Sequence, residues 1–138
     1  MKNFLTTYFA EYTKLAFDES IHQTIDQFTS LALEVKTADA KLIFAGNGAS
    51  AAISAHAAVD FTKQAKIRGI TFNEADLITC FSNDYGYENW ISEAIKSYYN
   101  KSDVVVLISV SGESLSVVNA AITAKDLGLR VVTFTGRN

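Results

Sequence analysis

The sequence predicts an α/β domain, a three-layer αβα sandwich around a central parallel sheet, preceded by two N-terminal helices. Three observations carry the prediction. Short apolar runs at 41–45, 77–81, 103–108 and 130–134 alternate with helical segments, the pattern of parallel strands joined by crossovers with helices on both faces. Nothing before residue 38 has that pattern; apolar residues recur there at helical spacing instead. Hydrophobic residues make up 49% of the 138 positions and charged residues 20%, which excludes a disordered chain and requires a packed core. The absence of proline suits regular elements with short connections.

The elements follow in order. Over 3–16, Phe4, Leu5, Tyr8, Phe9, Tyr12, Leu15 and Ala16 make one broad apolar helix face. Asp18 or Ser20 caps a second helix reaching about Lys36, with Ile21, Ile25, Phe28, Leu31, Ala32 and Val35 on its face. These two helices form an arm over 1–37, and the α/β core covers 38–138 of a single domain. The arm's aromatic face serves either as extra packing on its own domain or as a contact with another subunit.

The first strand, Lys41 to Ala45, ends at Gly46, and an Ala-rich helix runs from Ser50 to about Lys66. Segment 67–76 is undecided between loop and edge strand. Leu77 to Phe81 reads as the second strand, and Asn89 to Asn100 as a helix with Trp90, Ile91, Ala94, Ile95 and Tyr98 inward. Asp103 to Ile108 is the third strand, Ser114 to Leu127 a helix stopped by Gly128, and Arg130 to Phe134 the fourth strand. The sequence stops at Thr135-Gly136-Arg137-Asn138, directly after a strand, so the core reads as cut short at its C-terminus.

Charge and cysteine usage narrow the function classes. Twelve Lys and Arg against 15 Asp and Glu give a net charge of −3, without the basic field that nucleic-acid binding needs. One cysteine, Cys80, allows no intrachain disulfide and fits a reducing compartment. No apolar run is long enough to span a membrane, and Met1-Lys2-Asn3-Phe4 does not open a signal peptide. The expected location is the cytoplasm.

In parallel sheets of this kind, ligands bind beyond the carboxyl ends of the strands. After the third strand, Ser109-Val110-Ser111-Gly112-Glu113-Ser114 leads into a helix, placing hydroxyls and free N–H groups where an anion, most simply a phosphate, is held. A Ser-rich N-cap without ligand is the alternative. Glu113 would repel an anion and is expected to point away. After the first strand, Gly46-Asn47-Gly48-Ala49-Ser50 is a second backbone-lined turn; it lacks the third glycine of a dinucleotide fingerprint and is equally a plain tight turn. His56 and Asp60, four residues apart on the next helix, share a face and are two metal ligands, an acid/base pair, or a surface pair without function. Asn83 and Asp84, in the segment after the expected second strand, offer sugar-hydroxyl partners or an ordinary turn.

Taken together, these segments resemble the sugar isomerase (SIS) domain family, with its flavodoxin-like sandwich, and within it the phosphoheptose isomerases. The matching stretches are Gly46 to Ser50, His56 with Asp60, Ser82-Asn83-Asp84-Tyr85-Gly86, Ser109 to Ser114, and Val132-Thr133-Phe134-Thr135-Gly136. The resemblance covers essentially the whole chain, and the order and spacing of the motifs are more specific than any one of them. It implies interconversion of sedoheptulose 7-phosphate and a heptose 7-phosphate aldose through an enediol. It also implies phosphate binding by Ser109, Ser111 and Ser114 with Ser50, sugar contacts by Asn47 and Asp84, zinc ligation by His56 and Asp60, and a homotetramer. Asp60 stands on the family's catalytic glutamate, one methylene shorter, as the implied base. The family's C-terminal helix supplies a glutamine and a histidine beyond Asn138, so the zinc and acid/base site is incomplete in this chain. Two other readings remain open: a non-catalytic SIS module that binds a phosphosugar or a protein partner, and a ketose–aldose isomerase acting on a six-carbon sugar.

Overall fold

The computed structural model describes residues 2–136. Arg137 and Asn138, on which the expectation of a core cut short at its C-terminus partly rests, lie outside the described residues, as does the side chain of Leu15 on the first apolar face. The chain divides into two compact units between Leu31 and Ala32.

The first unit contains α1 (Lys2–Ala16), a 3-10 turn (Glu19–Ile21) and the start of α2 (His22–Thr37). Asp18 starts the turn by accepting the Ser20 N–H at 2.9 Å, a short polar side chain satisfying an otherwise orphaned donor. On α1, Phe4, Leu5, Tyr8, Phe9 and Tyr12 are exposed, and the Phe4 and Tyr8 rings stack.

The second unit is the α/β core: β1 (Lys41–Gly46), α3 (Ala49–Asp60), β2 (Arg68–Thr71), α4 (Ala75–Tyr85), α5 (Trp90–Tyr98), β3 (Val104–Ser109), α6 (Leu115–Asp126) and β4 (Arg130–Thr135). The four strands are parallel, in the order β2-β1-β3-β4. Continuous apolar runs fill the central strands, Leu42 to Ala45 in β1 and Val104 to Ile108 in β3, because both faces are covered. One face, with Ile43, Ala45, Val105 and Leu107, packs against Trp90, Ile91, Ala94 and Ile95 of α5 and Val117, Ala120 and Ala124 of α6. By strand alternation Leu42, Phe44, Val104 and Val106 point the other way. They too are buried, and Phe44 meets Phe61 just after α3. Tyr98, expected inward, is half exposed, though its ring lies against Phe72.

One expected element is corrected. Leu77 to Phe81 is not a strand but part of α4. Leu77, Ile78 and Phe81 pack on the core while Thr79, Cys80, Asn83 and Asp84 are exposed, a helical period that a five-residue window mistook for a continuous apolar run. Thr79 Oγ1 donates to the Ala75 carbonyl at 2.7 Å, one turn back. The second strand is Arg68–Thr71, inside the segment left undecided, where Gly69 interrupts the apolar signal.

At the opposite end of the strands from their carboxyl termini, Asp103 is fully buried and accepts from Lys41 N (3.0 Å), Lys41 Nζ and Asn100 N (2.7 Å). It ties the starts of β1 and β3. Among the described residues no helix is long and apolar enough to cross a membrane.

Candidate functional site

The strand order places β2 on one side of β1 and β3 on the other. The chain therefore reverses direction across the sheet between β1 and β3, and a crevice opens beyond their carboxyl ends. Here the structure shows a cavity of about 290 Å³ lined by Asn47, Ala49 and Ser50 from the turn after β1, and by Ile108 to Ser111, Ser114 and Val117 from the end of β3 and the start of α6. The volume lies near the lower limit of small-ligand sites.

Gly46 makes the convergence possible. A Cβ there would lie 2.7 Å from the Ile108 carbonyl oxygen and 2.8 Å from Ser50 Cβ, so only a residue without a side chain lets β1, β3 and α3 come this close. Gly48 follows with φ +56°, a left-handed turn that glycine adopts at little cost.

Both helices that start at the cavity begin without side-chain caps. The N-cap of α3 is Gly48, and Ser114, the N-cap of α6, makes no capping hydrogen bond. Each first turn closes partly on itself, with Ser50 N–H donating to the Asn47 carbonyl and Ala51 N–H to the Gly48 carbonyl, both at 3.0 Å, and Val117 N–H to the Ser114 carbonyl at 2.9 Å; each helix start still carries partial positive charge. Two of them face one cavity, with the Ser50, Ser109, Ser111 and Ser114 side chains around it. Ser109 Oγ accepts the Gly112 N–H at 3.2 Å and Ser111 Oγ the Glu113 N–H at 3.1 Å. These bonds fold the loop while leaving each hydroxyl its own hydrogen to donate. Glu113 is exposed and outside the cavity lining, as expected for a carboxylate beside an anion site.

Asn47 joins the two halves. Its Nδ2 donates to Ser114 Oγ at 2.9 Å and to Ser116 Oγ at 2.8 Å, and its Oδ1 accepts from the Tyr87 hydroxyl at 3.1 Å. Tyr87 and Ser116 were not singled out in the sequence. Ser116 continues the hydroxyl series of Ser109, Ser111 and Ser114. Nothing local to Tyr87, in the loop between α4 and α5, indicates its reach to a residue 40 positions earlier.

The remaining sequence candidates lie elsewhere. His56 Nε2 and Asp60 Oδ2 are 3.4 Å apart on α3, both exposed, beside an open concavity of about 540 Å³ lined with Ala52, Ile53 and Ala57. They do not line the serine cavity. Among the described residues no three His, Cys, Asp or Glu side chains gather, and two donors fall short of the three protein ligands of a catalytic zinc site. This chain's donor set by itself does not fit zinc. Asn83 and Asp84 sit on the exposed last turn of α4, where Asn83 Nδ2 donates to Asp84 Oδ1 at 2.9 Å; neither lines the serine cavity.

A family model for the SIS domain matches residues 7–136. The chain belongs to the SIS domain family. This SIS domain is 32% identical over 126 residues to the phosphoheptose isomerase of Helicobacter pylori (strain P12), covering 87% of this chain and 66% of that protein. It is 32% identical over 125 residues to the phosphoheptose isomerase of Sodalis glossinidius, covering 87% of this chain and 64% of that protein. It thus spans slightly under two thirds of those relatives' length. Its fold matches the structure of phosphoheptose isomerase GmhA from Neisseria gonorrhoeae with a TM-score of 0.89 at 28% identity, over 99% of this chain and 76% of that one. The α/β fold with a four-stranded parallel sheet and flanking helices is therefore that of a domain related to phosphoheptose isomerases.

Proposed function

We propose that this SIS domain binds the phosphate of a phosphorylated sugar in the serine cavity and interconverts sedoheptulose 7-phosphate with an aldose heptose 7-phosphate. The observation that carries the reading is the convergence of two uncapped helix starts and four serines on one cavity, a setting that favours a multiply charged anion over a neutral ligand. The relationship to phosphoheptose isomerases supports the choice of sugar. In this reading Ser50, Ser109, Ser111 and Ser114 hold the phosphate, Asn47, Asn83 and Asp84 meet sugar hydroxyls, and Asp60 moves a proton between carbons 1 and 2 through the enediol. The proposal includes a homo-oligomer, a tetramer, for which the exposed aromatic face of α1 offers contact surface. It also includes a cytoplasmic setting, and a zinc site only where further donors join His56 and Asp60.

Calorimetry tests it. Sedoheptulose 7-phosphate and inorganic phosphate should bind and free sedoheptulose should not, and Ser111→Ala should weaken both phosphates. Equal affinity for free sugar and its phosphate would overturn the reading. A second reading, a phosphosugar-binding module without turnover, draws support from the exposed position of His56 and Asp60 outside the serine cavity. It expects binding without proton exchange.

A further inference from the structure

We infer that Tyr87 is a positioning residue of the anion cavity: its phenol orients the Asn47 amide so that the Ser114 hydroxyl hydrogen is left for the bound phosphate. The inference rests on the phosphate reading above and assigns a role to a residue outside the cavity wall.

The Asn47 amide has two possible orientations, because its oxygen only accepts and its nitrogen only donates. In the structure Tyr87 faces Oδ1 at 3.1 Å, and Nδ2 spends its two hydrogens on Ser114 Oγ and Ser116 Oγ. Each serine then acts as acceptor toward Asn47 and keeps its own hydrogen. The flipped amide would turn its oxygen to both serines, and each would donate to it. The Ser114 hydroxyl would then have no hydrogen to offer an anion. Phosphate oxygens accept hydrogen bonds, so a bound phosphate favours the first arrangement; in the flipped one the phenol would accept from Nδ2 instead, but a phenol is a stronger donor than acceptor, so its pairing with Oδ1 also favours the first. Hydrogen bonds in such a chain also polarise one another, from phenol to amide to serine.

The loop that carries Tyr87 is held in place. Asn119 on α6 donates to the Glu88 carbonyl at 3.0 Å and to Asn89 Oδ1 at 3.2 Å. Asn89 Nδ2 in turn donates to the Tyr85 carbonyl at 2.9 Å. The phenol is thus presented from a loop fastened to both α4 and α6. Tyr87 itself is 55% exposed, so its hydroxyl can be removed with little effect on the core.

The experiment titrates inorganic phosphate into the wild type, Tyr87→Phe, Asn47→Ala and the double variant. Tyr87→Phe should keep the wild-type melting temperature and bind phosphate roughly 2- to 12-fold more weakly, the range for one hydrogen bond of ordinary net strength. In the Asn47→Ala background the same substitution should cost nothing further, because its effect runs through the amide. The side-chain amide resonances of Asn47, followed by NMR, should move in Tyr87→Phe before any phosphate is added. That readout needs only the single variant, so it stands even if Asn47→Ala does not fold. Unchanged phosphate affinity in Tyr87→Phe, or an equal loss with and without Asn47, overturns the role of Tyr87. If the wild type binds phosphate and Ser111→Ala weakens it, the anion reading survives that failure. A wild type that does not bind phosphate overturns both.

Discussion

Gly46 and Ile108 approach so closely across the ends of β1 and β3 that a Cβ on Gly46 would stand 2.7 Å from the Ile108 carbonyl oxygen. The contact brings the two strand-end turns together and so shapes the cavity. The obstacle is backbone, which cannot rotate aside as a side chain can. Gly46→Ala should therefore destabilise the domain by about 1–3 kcal/mol, the usual cost of overpacking, and weaken phosphate binding as the turns separate. Urea denaturation and calorimetry on the same sample check both effects; wild-type values in both would mean that the close approach is dispensable.

Asp103 gives a stability prediction that should leave the site untouched. Its buried carboxylate accepts from Lys41 and from the Asn100 backbone at the end of the strands remote from the cavity. Removing one partner of a buried ion pair costs about 3–5 kcal/mol, and Asp103→Ala should fall in that range. Asp103→Asn, which retains an acceptor, should lose less. Denaturant midpoints provide the measurement, with phosphate affinity of the folded protein unchanged. A loss below about 1 kcal/mol for the alanine variant would contradict the role of the buried pair.

Asp60 separates binding from proton transfer. Its carboxylate lies outside the serine cavity, so Asp60→Asn should bind inorganic phosphate with wild-type affinity. If Asp60 is the base, exchange of the substrate proton with solvent should fall by about 100- to 10,000-fold, the range for loss of a general base. NMR of sedoheptulose 7-phosphate in deuterated water reads this directly. Exchange at the wild-type rate would remove Asp60 from the mechanism, and absence of exchange in the wild type itself would favour the binding-module reading.

Asp18 gives a prediction in pH. Hydrogen bonds from Ser20, first from its side chain and then from its backbone, hold the Asp18 carboxyl below its ordinary 3.8. A depressed folded value means that the unfolded chain takes up the proton first as pH falls. The contribution to stability is thus complete above 3.8 and disappears as pH drops through the lowered folded value. A carboxyl titration by NMR should show a midpoint below 3.8, and Ser20→Ala should move it upward. An unchanged midpoint in that variant would show that the Ser20 side chain has no part in the shift.

Much of the fold was legible because burial on both sheet faces leaves a direct mark on composition. Val104 to Leu107 could only be a central strand, and Ile43 and Phe44 had the same continuous apolar character. The serine loop was legible for a related reason: hydroxyls and a glycine directly after a strand and before a helix belong to a local motif. The failures came where local pattern was short or mixed. Five residues from Leu77 to Phe81 cannot distinguish a strand from one turn of half-buried helix, and the Gly69 that lets β2 pack close to α3 also hid the strand containing it.

The sequence by itself determined the first, third and fourth strands, the parallel sheet and the chemical character of the two turns, since each depends on residues adjacent in the chain; it misplaced the second strand. Tertiary structure alone decided which of the polar candidates meet. Strand order β2-β1-β3-β4 brought Asn47 to Ser114 and Ser116 across 67 and 69 positions, and the loop before α5 brought Tyr87 to the same amide. The helical rotation of α3 turned Ser50 inward and left His56 and Asp60 exposed. The physical reason is that a hydrogen bond depends on distance and direction in space. Between residues far apart in the chain, both are set by how the sheet and its helices pack, a sum over many weak contacts that no single stretch of sequence displays.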